Sequence, residues 1–157
     1  MPMHSVESTI VIHRSPTTVF NFISSPANWA GLHPGSKRII GEGVDKPANG
    51  GLHFIETIDD GDAQQFDAQW LVTHVVADKY FEFQFPPDYS TETFFNIVIT
   101  YTLVDLGTST KFTRTMTSWI RPEADMAKLD AFKKPSMHDL YLENVRERVE
   151  SAGAKET

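Results

Sequence analysis

The sequence predicts an α+β fold, a curved antiparallel sheet packed against a long C-terminal helix with a hydrophobic cavity between them. Three observations carry this. From Lys37 to Ile120 the chain runs in short apolar-polar alternations parted by tight turns, which is a strand pattern. Strands joined so closely are antiparallel neighbours, because parallel pairs need a long crossover. After Pro135 the apolar residues shift to three- and four-residue steps, the period of a helix.

The elements follow in order. Val6 to His13 alternates weakly and is rich in β-branched residues, as a strand should be. Ser15-Pro16 opens a helix, with Ser15 as N-cap and Pro16 at the first helical position. Val19, Phe20 and Ile23 form its apolar face. A second short helix is expected from Pro26 to Gly31, capped by Ser25 and ended by Pro34-Gly35. Strands are expected near 37–43, 51–59, 65–76, 79–86, 93–105 and 109–120. Asp59-Asp60-Gly61-Asp62, Ala77-Asp78-Lys79 and Leu106-Gly107-Thr108 read as tight connections, and Pro86-Pro87-Asp88 as a loop. Pro135 cannot donate to a helix ladder, so residues 123–152 divide in two. The first piece carries Met126, Leu129 and Phe132. The second runs from Pro135 to Ala152 with Met137, Leu140, Tyr141, Val145 and Val149 on one face, and Gly153 ends it.

At 157 residues the chain is the size of one domain, and residues 1–157 are read as a single ligand-binding domain. Its formal net charge of -7 and its lack of a basic run argue against a nucleic-acid partner. It has no cysteine, which excludes disulfides, thiolate metal sites and a cysteine nucleophile. The histidines are scattered without zinc spacing, and no dinucleotide, phosphate-loop or nucleophile-elbow motif is present, so neither metal nor cofactor is expected. The segment Met1-Pro2-Met3-His4-Ser5-Val6-Glu7 lacks the features of a signal peptide, and no apolar run has the length of a membrane span. The expected location is cytoplasmic. The oligomeric state is open, a homodimer being compatible with the sequence.

The text Ile10-Val11-Ile12-His13-Arg14-Ser15-Pro16, continuing through Val19-Phe20, Phe22-Ile23 and Pro26-Ala27-Asn28-Trp29, resembles the opening of the START-related, polyketide cyclase-like superfamily. So does the stretch Trp29 to Pro34-Gly35. Leu103-Val104-Asp105-Leu106-Gly107-Thr108, followed by Phe112, Arg114 and Met116, resembles its last hairpin. The resemblance covers nearly the whole chain and is specific for fold rather than for function. It implies a helix-grip fold, a seven-stranded sheet wrapped around the C-terminal helix. Its members include lipid carriers, allergen-type ligand binders, aromatases and cyclases, which share a cavity rather than a catalytic motif. Many relatives carry Trp where this chain has His33, a departure that would alter the mouth of the cavity.

Side chains alternate between faces along a strand, so parity selects the inward set. Phe81, Phe83 and Phe85 share one face, as do Phe95, Ile97, Ile99, Tyr101 and Leu103. Phe112, Arg114, Met116 and Ser118 form a third set. Arg114 stands out, because a guanidinium in an apolar face needs a carboxylate, water or an anionic ligand unless it snorkels to the rim. Glu56 shares parity with Leu52, Phe54 and Ile58 and is its natural partner. Close together, the two would keep Glu56 ionised and positioning; apart, an apolar niche would raise the Glu56 pKa and suit it to act as a general base. Trp70, Val72 and His74 also share parity. Trp70 can stack on a ligand or simply fill the core, and His74 is a candidate acid or base or an exposed residue. Tyr101 and Tyr141 offer phenols from strand and helix.

The candidate ligand-binding set is Trp70, Phe83, Phe95, Ile97, Tyr101, Phe112, Arg114, Met116, Met137 and Tyr141, with Glu56 and Arg114 as catalytic candidates. Three functions fit it: a binder of a small hydrophobic or aromatic molecule, a cyclase or dehydratase acting on one, and an interaction protein with a filled core.

Overall fold

A computed structural model describes residues 3–33, 35–59, 66–89, 95–120 and 135–155, with the backbone alone at 66, 95, 120, 135, 136 and 153–155. The elements are β1 (Met3–Ile12), α1 (Pro16–Ile23), a 3₁₀ helix (Pro26–Trp29), β2 (Ser36–Ile40), β3 (His53–Ile58), β4 (Phe66–Val76), β5 (Tyr80–Gln84), β6 (Phe95–Asp105), β7 (Thr110–Ile120) and α2 (Pro135–Lys155). The seven strands form one antiparallel sheet in the order β1-β7-β6-β5-β4-β3-β2. Strands β1 and β2 are therefore its edges, and α1 with the 3₁₀ helix carries the chain from one edge to the other. This is the helix-grip arrangement. The expected first helical piece, with Met126, Leu129 and Phe132, lies outside the described residues, as does most of the turn Asp59-Asp60-Gly61-Asp62.

Local chemistry explains most boundaries. Ser15 Oγ accepts the Thr18 amide at 3.3 Å, and Pro16 starts the first turn of α1. Replacing Ser15 with Ala removes this cap and is expected to cost about 1 kcal/mol, measured by urea denaturation. Ser25 does not cap the 3₁₀ helix as expected. Its hydroxyl instead donates to the Asn21 carbonyl at 2.9 Å, while Ser24 Oγ donates to the Phe20 carbonyl at 2.6 Å. Ser25 thus serves a carbonyl in the last turn of α1, while Ser24 adds a second bond to the Phe20 carbonyl, which also accepts the Ser24 amide at 2.9 Å. Asp78 has φ 66 in the turn between β4 and β5, a left-handed conformation that Asp tolerates better than most residues. Its Oδ2 accepts a hydrogen bond from Thr17 Oγ1 at 2.8 Å.

A β-bulge corrects one reading. Val72 pairs with Phe83, but His74 pairs with Glu82 and Val75 with Phe81, so one extra residue sits in β4. The side-chain phase changes there. Val75 turns to the inner side and His74 is exposed, which removes His74 from the internal candidates.

Helix α2 packs on β1 and α1. Asn144 Nδ2 donates to the Leu32 carbonyl at 2.6 Å, and Glu150 Oε1 accepts the His13 amide at 3.0 Å. The buried face is His138, Tyr141, Leu142, Val145 and Val149. Leu140, expected on it, is 39% exposed, and Met137 is part-buried. The helix also continues to Lys155 instead of ending at Gly153. Among the described residues, no helix is long and apolar enough to cross a membrane.

The core lies between the inner face of the sheet and the helices, and it is dominated by rings. Phe83 sits at their centre, with ring centroids 4.9 Å from Trp29, 5.0 Å from Trp70 and 5.5 Å from Tyr101.

Candidate functional site

The charged and phenolic groups inside this core converge from separate parts of the chain. Arg114, in mid-β7, lies across from Tyr101 on β6 and Ser8 on β1. It is only 8% exposed, on the same face as Phe112 and Met116. Its Nη1 hydrogen bonds Nδ1 of His138 on α2. Because guanidinium nitrogens only donate, His138 accepts through Nδ1 and carries its hydrogen on Nε2. The Arg114 Cζ lies 5.0 Å from the centre of the Tyr141 ring, within cation–π range. Tyr141 and Tyr101 join through their hydroxyls at 2.9 Å, and their rings stack with centroids 6.5 Å apart. The His33 ring, in the connection before β2, lies 6.4 Å from that of His138.

Burial sets the titration of these groups. It pushes His33 from 6.5 down to about 4, with Arg114 and then His138 adding to the effect. His33 is therefore neutral at pH 7, and its Nδ1 accepts the Gly35 amide at 3.1 Å. Burial raises both phenols, Tyr141 strongly, so both remain protonated donors at neutral pH.

The hydrogen bonds of the Glu56 carboxylate go to Ser36 and Trp70. Ser36 Oγ donates to one carboxylate oxygen at 2.7 Å and Trp70 Nε1 to the other at 3.2 Å. Burial raises its pKa. These two hydrogen bonds and the nearby positive charge of Arg114 oppose that shift without cancelling it. Of the two outcomes the sequence left open, the raised carboxyl is the one found, with Arg114 still near enough to act on it.

The remaining predicted residues divide. Ile97, Phe112 and Met116 are buried on the inner face of β6 and β7. Trp70 packs against Phe83 and Phe85 at 5.0 and 4.9 Å and belongs to the core wall. Phe95 pairs with Ile120 through the backbone, and its side chain lies outside the described residues. Sequence reasoning missed His138 as an internal group, although it lies three residues before Tyr141 and so shares its face. It also missed Ser36, which a bulge in β2 brings into register with Ile58.

Two buried polar atoms on the inner face of β7 have no hydrogen-bond partner, Arg114 Nε and Ser118 Oγ. Such atoms are rare in folded proteins, and each calls for an explanation such as an ordered water, an ion or a bound group.

A family model described as polyketide cyclase / dehydrase and lipid transport matches residues 3–150. A relative from Penicillium ochrochloron, called penitrem biosynthesis cluster 1 protein I, is 37% identical over 143 residues, covering 90% of this chain and 93% of its own. Among solved structures, Ara h 8.0201 superposes with a TM-score of 0.65 at 13% identity, covering 96% of this chain and 99% of its own. Norcoclaurine synthase from Thalictrum flavum, in complex with dopamine and hydroxybenzaldehyde, does so with a TM-score of 0.67 at 14% identity, covering 96% and 88%. At these identities the structural matches speak for the fold.

Proposed function

Because the chain belongs to the polyketide cyclase / dehydrase and lipid transport family, we propose that it binds a small hydrophobic, aromatic molecule between the inner face of the sheet and α2. One observation carries this reading: an aromatic inner wall leads to a buried polar cluster in which Arg114 Nε and Ser118 Oγ lack partners. Small-molecule sites are built this way, mostly apolar with a few placed polar groups that orient the ligand. The Thalictrum flavum enzyme, of the same fold, is seen with two small aromatic molecules. The Penicillium ochrochloron relative is named for a biosynthetic cluster, which supports a small-molecule reading.

Native mass spectrometry of protein purified from its source is expected to show a retained small molecule that is released on denaturation. A bare protein mass, together with no saturable binding of aromatic probes, would overturn the proposal.

A second reading, conversion of the bound molecule in the manner of a cyclase or dehydratase, is favoured by Glu56. A carboxyl raised by burial is a better general base near neutral pH than an ordinary one. Titration by NMR should place Glu56 above its ordinary 4.5. Arg114→Met should move it higher still, because the guanidinium favours the ionised form. A Glu56 pKa in the ordinary range, or one indifferent to Arg114, would remove the base from this mechanism.

A further inference from the structure

We infer that the molecule held here carries an oxygen anion, a carboxylate or an ionised enol or phenol on an aromatic body, and that it docks against Arg114 Nε. This rests on the binding function proposed above and specifies the chemistry of its ligand.

The argument is an account of charge and hydrogen bonds. Arg114 carries a full positive charge at 8% exposure. A buried charge is costly unless an opposite charge or several hydrogen bonds compensate it. Its close neighbours carry no negative charge: His138 Nδ1 accepts from Nη1, the Tyr101 hydroxyl accepts from the guanidinium, and the Tyr141 ring lies beneath Cζ. Glu56 is occupied by Ser36 and Trp70, and burial weakens its tendency to ionise. Nε is left without any acceptor.

The phenols point the same way. Two hydroxyls supply two hydrogens, and the Tyr101–Tyr141 bond consumes one. The other hydrogen is a further donor in the cluster. The cluster is therefore rich in donors and poor in acceptors. An anionic ligand oxygen supplies both the acceptor and the missing negative charge, and charge-assisted hydrogen bonds of this kind are the strong ones. A neutral apolar ligand would supply neither.

The test uses two probes with the same aromatic body, 2-naphthoate and 2-naphthamide, titrated into the whole protein at pH 7 by calorimetry. Naphthoate should bind at least about tenfold more tightly, which corresponds to about 1.4 kcal/mol. That preference would run against the protein's own net charge of -7, so general electrostatic attraction cannot produce it. Arg114→Met should abolish it, and Arg114→Lys, which keeps the charge but not the planar fork, should retain part of it. If Arg114→Met fails to fold, the wild-type ¹⁵Nε signal of Arg114 decides: naphthoate should shift it and naphthamide should leave it in place. Equal affinities, a preference that survives Arg114→Met, or an unmoved Nε signal would overturn the inference and leave the binding function standing. Binding of neither naphthalene would overturn both.

Discussion

Phe83→Ala is expected to lower the unfolding free energy by about 3–5 kcal/mol, the range for deleting a well-packed buried phenylalanine. Phe83 is 2% exposed and touches rings from three directions: Trp29 from the 3₁₀ helix, Trp70 from β4 and Tyr101 from β6. Removing its ring leaves a void walled by side chains that are themselves pinned. Trp29 Nε1 donates to the Ile23 carbonyl at 2.8 Å, and Trp70 Nε1 donates to Glu56. Neither indole can collapse into the gap without losing its hydrogen bond, so relaxation recovers little.

Met116→Ala is the informative comparison. Met116 lies between Arg114 and Ser118 on β7, beside the two atoms without partners. Met116 is 1% exposed, and if ligand space borders it, its truncation loses fewer contacts than that of a fully packed residue, about 2 kcal/mol at the low end of its class. Urea denaturation of both variants supplies the test. A cost at Met116 as large as that at Phe83 would mean a uniformly filled core and would favour an interaction protein over a ligand binder.

The sheet was legible because its strands obey period two. Phe81, Phe83 and Phe85, then Ile97, Ile99, Tyr101 and Leu103, then Phe112, Arg114, Met116 and Ser118 all lie where parity places them. Parity failed at His74 for a reason that a sequence does not display. A bulge inserts one residue and reverses the phase, yet Thr73 looks like any other strand residue. The family resemblance supplied the helix-grip topology, which alternation alone leaves undetermined.

The site was less legible, because it joins residues distant in sequence. Arg114 could be found as a cation in an apolar register. His138 was hidden by its polarity: hydrophobic periodicity selects Leu140, which is exposed, over His138, which is 2% exposed. What buries His138 is the acceptor it offers to a guanidinium 24 residues away, an interaction that no periodicity encodes. Glu56 was placed correctly as to face. Its partners were not foreseen, since Ser36 reaches it only through a bulge and Trp70 only through its indole nitrogen.

His33 gives the second large effect, a stability that depends on pH. Its pKa falls from 6.5 to about 4 on folding, through burial first, then through the charge of Arg114, with His138 adding to the effect. The unfolded chain therefore takes up a proton near pH 6.5, whereas the folded chain resists it until about pH 4. The stabilising contribution is complete above pH 6.5 and is lost progressively as the pH falls toward 4. Its full size, from the shift between 6.5 and about 4, is about 3 kcal/mol. Glu56 acts in the opposite sense. Its folded pKa is raised, so its contribution is present at low pH and declines as the pH climbs past its ordinary 4.5, which partly masks the His33 effect in the wild type. Subtraction separates them. His33→Asn keeps an acceptor for the Gly35 amide but does not titrate in this range. Urea denaturation of both proteins from pH 4 to 7.5 should give curves that diverge through this window, the wild type losing more stability on acidification. A constant difference across that range would mean that His33 charges as readily folded as unfolded, and the burial assigned to its ring would fail with it.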